Sequence, residues 1–113
     1  MSDNNPLFNP DDPRVKANPD AERHAEILAG IHDLYLQKNT AYGSSFSDTY
    51  KDLGIMSAMT RLSDKFNRAK TLAKHRDKGD INVGDEPLTD TLLDLANYAI
   101  LTLMEIEKES KKS

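Results

Sequence analysis

Ile55, Met59, Leu62, Phe66, Ala69 and Ala73 follow one another at spacings of 4, 3, 4, 3 and 4 residues. This is the heptad rhythm of an α-helix laying an apolar seam on another helix, and a strand, with its period of two, cannot present it on one face. The spacing predicts a helix from Ile55, just after Gly54, to about His75. Ile27, Leu28, Ile31, Leu34 and Tyr35 repeat the helical rhythm upstream, behind an Asn18-Pro19 start with Asp20 and Glu22 in the first turn. A first helix is therefore expected over 19–38. A third is expected from an Asp85 cap, through Glu86 and Pro87, to about Lys108. The chain reads as all-α, with three main helices in a small bundle.

The segments between and outside these helices read differently. Residues 1–18 hold three of the five prolines, four Asn and three Asp, without periodicity, and are expected to form a flexible arm. Residues 19–108 form a single α-helical domain in this reading, and 109–113 a polar tail. From Gln37 to Gly54 the density of Gly, Ser, Thr, Asn and Asp predicts a long loop, and its Tyr42, Phe46 and Tyr50 make it a candidate binding loop. Residues 76–85 read as a polar turn, with room for a short extended piece at 81–83.

Composition narrows the function classes. Hydrophobic residues make up 37% and charged residues 30%, a soluble globular balance. With no apolar run near eighteen residues and no basic-then-apolar leader, neither a membrane span nor a secretory signal is expected. The absence of cysteine removes disulfides, thiolate metal sites and cysteine nucleophiles, and fits a cytoplasmic protein. Fifteen Lys and Arg against nineteen Asp and Glu give a net charge of −4, which argues against general nucleic-acid coating but leaves room for a local phosphate pocket. A core built from so few ordered residues is marginal, and joining subunits is a common remedy. A homo-oligomer is expected.

The third helix carries the clearest chemical signal. On a wheel of about 100° per residue, Leu88, Leu92, Leu93, Ala96, Ala99, Ile100 and Leu103 share a broad apolar face. Glu86, Asp90, Asp94 and Asn97 form a stripe on its flank, and the same stripe becomes apolar further on at Leu101 and Met104. A solvent-facing stripe has no reason to change in mid-helix, so the carboxylates are expected to look into a pocket or interface. A hard divalent cation such as Mg²⁺ would neutralise them, since it takes one or two carboxylates together with waters and phosphate oxygens. The plainer reading is an acidic first turn favoured by the helix dipole, and it suits Glu86 better than Asp94.

The second helix groups Arg61, Asp64, Lys65 and Arg68 away from its seam, with Asp64 opposite it. In a monomer these would be ordinary solvated pairs. In an oligomer they could meet the acid stripe, placing cations for phosphate beside acids for a metal. The loop adds Lys38, Asn39, Tyr42, Gly43, Ser44 and Ser45, where a glycine beside serines can turn backbone N–H groups onto an anion and Tyr42 can stack on a base. For Phe46 the plainer reading, covering the bundle end, is preferred. His24, His32 and His75 share no metal-binding spacing.

Three ordered segments, KNTAYGSSF (38–46), ISAMTRLSDKFNRAKTL (55–72) and DEPLTDTLLDLANYAIL (85–101), resemble the nucleotide modification associated domain 1 family, small α-helical and mostly bacteriophage proteins. The matching positions are Lys38, Asn39, Tyr42 and Gly43, then Arg61, Asp64, Lys65 and Arg68, then Asp90, Thr91, Asp94, Ala96 and Tyr98. The resemblance implies nucleotide metabolism or DNA base modification, in the host cytoplasm if the protein is phage-encoded. More distantly, the chain is similar to all-α nucleoside triphosphate pyrophosphohydrolases of the MazG and dimeric dUTPase type. Asp90 and Asp94 stand for one of their acidic pairs, while the other is reduced to Asp64 with Lys65 and Arg68 beside it.

The resulting expectation is a small-molecule nucleotide bound with Mg²⁺. Asp64, Asp90 and Asp94 are the metal candidates. Lys38, Asn39, Tyr42, Gly43, Arg61, Lys65, Arg68, Asn97 and Tyr98 are the nucleotide and phosphate candidates. Three alternatives stand beside it: a non-catalytic sponge for a cyclic-nucleotide immune signal in phage anti-defence, a metal-dependent pyrophosphohydrolase, and a purely structural helical module. Fewer acids and more basic groups favour binding over hydrolysis.

Overall fold

The computed structural model describes residues 5–42, 44–79 and 86–112. Among these residues it holds no strand and five helices: α1 (Pro13–Lys16), α2 (Ala21–Tyr42), α3 (Ser45–Leu53), α4 (Ile55–Asp77) and α5 (Glu86–Lys112). The all-α class stands, with two more helices than the sequence led us to expect. The expected extended piece at 81–83 and the Asp85 cap lie outside the described residues. By contacts the chain divides into two compact units, Met1–Gly43 and Ser44–Ser113.

In the first unit the short polar side chains before α2 organise their own backbone. The Asn5 and Asn9 carboxamide oxygens accept from the amides of Leu7 and Asp11, two residues on. Asp12 caps α1 by accepting from the Arg14 amide at 2.8 Å, and pairs with the Arg14 guanidinium at 2.7 Å. Asn5 Nδ2 donates to the Ala25 carbonyl at 3.1 Å, tying the arm to α2. Ala25 and Ile31 are buried on α2, while His32 stacks on Tyr35 at the surface.

The second unit corrects the expected loop. α2 runs on to Tyr42, and Ser45–Leu53 is helical, so most of the segment taken for a binding loop is regular structure. Polar residues there are poor helix formers, but α3 turns Phe46, Ser47 and Tyr50 onto α4 and α5, and packing overrides weak propensity. One residue separates α3 from α4. Gly54, at φ 78° and ψ −171°, makes this corner in a conformation that a side chain disfavours. Its amide donates to the Tyr50 carbonyl, and its own carbonyl accepts from the Ser57 hydroxyl at 2.7 Å.

α4 lies along α5, and α3 packs on both. The inward row of α4 is Ala58, Leu62, Lys65, Ala69 and Leu72, whereas Ile55, Met59 and Phe66 of the expected seam are exposed. The helix is thus rotated about its axis towards its basic side. α5 departs further from the sequence expectation. Thr91, Asn97, Thr102 and Glu105 are buried, while Leu92, Ile100, Leu103 and Ile106 of its apolar side are exposed. Thr91, Thr102 and Glu105 all have hydrogen-bond partners, which removes the main cost of burying them. The Thr91 and Thr102 hydroxyls each donate, at 2.7 Å, to the carbonyl one turn back. Glu105 accepts from Ser47 of α3 at 3.2 Å and from Lys108 at 2.9 Å. α5 also continues through the expected polar tail to Lys112, supported by a Glu107–Lys111 pair at 3.0 Å.

Candidate functional site

The rotation of α4 brings its cations onto α5. Lys65 Nζ stands 3.3 Å from Asp94 Oδ2, with the two side chains 30% and 22% exposed. Arg61 and Lys65 each place their charge 5.9 Å from the centre of the Tyr98 ring, within cation–π range. Phe46 of α3 packs on the same ring, centroids 5.7 Å apart. Tyr98 therefore holds Arg61 and Lys65 of α4 in place, backed by an aromatic from the neighbouring helix.

Beside this cluster lies an open cleft of about 570 Å³, lined by Lys65, Arg68, Pro87, Asp90, Thr91 and Asp94. Its two walls are one helix each. Lys65 and Arg68 are three residues apart on α4, and Asp90 and Asp94 are four apart on α5, so each pair sits on a single face of its helix. Among the described residues neither Arg68 nor Asp90 makes an ion pair. The cleft can offer a guanidinium fork and an ammonium to phosphate oxygens, and two carboxylates to a cation.

The basic face of α4 meets the acid stripe of α5 within one chain, where the sequence suggested a meeting between subunits. Asp64 is exposed and does not line the cleft. Among the described residues no three acidic or histidine side chains gather closely enough to hold a metal ion. Two carboxylates still fit Mg²⁺, whose remaining positions go to water and phosphate. Asn97 is buried on α5. Lys38 and Asn39 lie on the last turns of α2, in the first unit. Gly43 and the side chain of Tyr42 lie outside the described residues.

Sequence reasoning passed over Pro87 as a wall residue and Thr91 as more than a motif position. The helical wheel could have found both, since 87, 91 and 94 share a face with Asp90 at its edge. It also missed a second polar cluster between α3 and α5. Burial alone would push the Glu105 carboxyl up. Hydrogen bonds from Lys108 and Ser47, with the charges of Lys108 and Lys51, outweigh it and hold the group below its ordinary range. Tyr50 beside it is 3% exposed, and its hydroxyl lacks a partner of hydrogen-bonding geometry among the described residues. Burial, then the Glu109 and Glu105 carboxylates, raise its pKa.

The family model for nucleotide modification associated domain 1 matches residues 38–106, well over half of the chain. The chain belongs to that family. No curated protein and no solved structure matches it. Both walls of the cleft, the Tyr98 cluster and the α3–α5 cluster up to Glu105 lie within the nucleotide modification associated domain 1 match.

Proposed function

We propose that the α4–α5 cleft binds the phosphates of a nucleotide, with Mg²⁺ on the α5 carboxylates. The observation that carries the reading is Arg68, a guanidinium without an ion-pair partner among the described residues, next to Lys65 on the wall of a cleft. The family's association with nucleotide modification supports the same ligand class. Lys65 and Arg68 would neutralise phosphate oxygens, Tyr98 would keep Arg61 and Lys65 in register, and Asp90 and Asp94 would hold the cation. Two carboxylates opposite two basic groups suit capture better than hydrolysis, because a bound metal with no further base is poorly equipped to activate water. Retention of a linear or cyclic nucleotide is therefore the primary reading, and pyrophosphohydrolysis the second.

A thermal-shift screen of nucleotides and cyclic nucleotides, with and without Mg²⁺, finds the ligand, because anything binding the folded state alone raises its stability. Titration calorimetry then compares Arg68→Ala and Arg68→Lys with the wild type. A guanidinium gives two parallel hydrogen bonds to a phosphate and an ammonium acts as a point charge, so Lys should restore part of what Ala loses. Three equal affinities would remove α4 from the site. Turnover of the ligand identified would decide for hydrolysis.

A further inference from the structure

Arg61, Lys65 and Arg68 stand at i, i+4 and i+7 on α4, along one edge of the helix and about 10 Å from first to last. Their surroundings differ. Lys65 and Arg68 line the cleft, whereas Arg61 does not: its guanidinium carbon lies 5.9 Å from the centre of the Tyr98 ring. Lys65 belongs to both places, with its ammonium also 5.9 Å from that ring. Phe46 backs the ring at 5.7 Å. Arg61 is exposed and makes no ion pair among the described residues. A phosphate contact gains little from aromatic rings beneath it. A guanidinium laid on such rings is a flat platform with an open outer face, and nucleobases stack on planes of this kind.

We infer that Arg61, seated on Tyr98 and Phe46, is a base-stacking subsite beside the cleft, and that the ligand lies lengthwise along α4 as a nucleoside di- or triphosphate. The base stacks on the outer face of the Arg61 guanidinium. The first phosphate reaches Lys65, one turn further on, and the second reaches Arg68. Lys65 keeps its contact with Asp94 throughout, because an ammonium carries three donors and can share them. Arg68 meets the second phosphate with a guanidinium fork that no ion pair occupies among the described residues. A nucleoside monophosphate leaves the Arg68 end of this row empty, and inorganic pyrophosphate leaves the Arg61 end empty. This rests on the reading of the cleft as a phosphate site, and adds to it which end of the ligand lies where and that it carries more than one phosphate.

Inorganic pyrophosphate, AMP and ADP are the probes, titrated into the full chain by calorimetry at one fixed Mg²⁺ concentration. The wild type should bind ADP on the order of tenfold more tightly than pyrophosphate, the scale of one stacked base. It should also bind ADP more tightly than AMP, which lacks the phosphate for Arg68. Arg61→Lys keeps the charge and removes the plane, so ADP should lose most of its advantage while pyrophosphate weakens far less. Arg61→Trp removes the charge and supplies a plane, so it should restore the preference for ADP. Arg61 is exposed, and neither substitution disturbs a buried contact. Equal losses of ADP and pyrophosphate in Arg61→Lys would make Arg61 a phosphate contact and overturn the base subsite. An advantage of ADP that survives Arg61→Lys would also overturn it, by placing the base elsewhere. AMP bound as tightly as ADP would overturn the lengthwise placement. Failure of the underlying reading looks different. In that case pyrophosphate does not bind the wild type, or Arg68→Ala leaves its affinity unchanged.

Discussion

At the scale of single residues, the most consequential placements are polar groups buried where an apolar core would be expected. Glu105 is 5% exposed, yet hydrogen bonds and nearby lysines favour its ionised form over the neutral one. A carboxyl whose pKa is lower in the folded chain binds its proton more readily once unfolded. Its stabilising contribution is therefore present above the ordinary glutamate value of 4.5, and is lost as pH falls through the lower folded value. Glu105→Gln removes the charge but keeps an acceptor for Ser47. Because Lys108 is half exposed and solvent screens it, the expected loss at neutral pH is only about 1 kcal/mol. Urea denaturation should show that gap near pH 7 and its disappearance well below pH 4, where both proteins are neutral at this position. A gap that persists in acid would assign the effect to packing instead of charge.

At the scale of elements, the heptad of residues 55–73 located α4 to within about two residues, and the amphipathic rhythms located α2 and α5 nearly as well. Two things were not legible. The first was α3: Tyr42, Phe46, Tyr50 and Leu53 recur at 4, 4 and 3, a helical stripe, but short polar residues between them outweighed it in any local reading. The second was rotation. Periodicity gives the angular width of an apolar stripe but not which edge of it a neighbour uses. α4 uses the edge carrying Ala58, Lys65 and Ala69, where the two buried alanines leave room for α5 and Lys65 comes to Asp94. Four of the six residues lining the cleft could thus be named from sequence, while its assembly within one chain could not be foreseen. The α3–α4 corner offers a test at this scale. Nothing within 4 Å would obstruct a Cβ at Gly54, so the cost of Gly54→Ala is conformational alone. With φ at 78° and ψ at −171°, it should destabilise by about 1–3 kcal/mol in thermal or urea unfolding. A loss under about 0.5 kcal/mol would show that α3 and α4 meet in another geometry.

At the scale of the whole molecule, the apolar side of α5 decides how the protein lives in solution. Leu92, Ala96, Ala99, Leu103 and Ile106 are spaced 4, 3, 4 and 3, with two alanines at the centre where a second helix could come close. α3 and α4 engage the opposite face of α5, and Leu92 and Leu103 are 50% and 66% exposed. Contiguous exposed apolar surface of this kind is a candidate interaction site. The heptad spacing specifies a helix as its occupant, and a two-fold axis through the alanines would let a second copy supply the same stripe. The protein is therefore expected to be a homo-oligomer at micromolar concentration by light scattering. Leu103→Glu separates this from a folding role. A side chain two-thirds exposed contributes little to the isolated chain, so its substitution should leave helicity and the pyrophosphate affinity of the cleft within about twofold. Placed in a helix–helix seam, the same charge would be buried without a partner and should shift the species to monomer. A wild-type monomer would sink the interface outright. An oligomer that Leu103→Glu leaves intact would move the contact to the exposed Ile55, Met59 and Phe66 edge of α4.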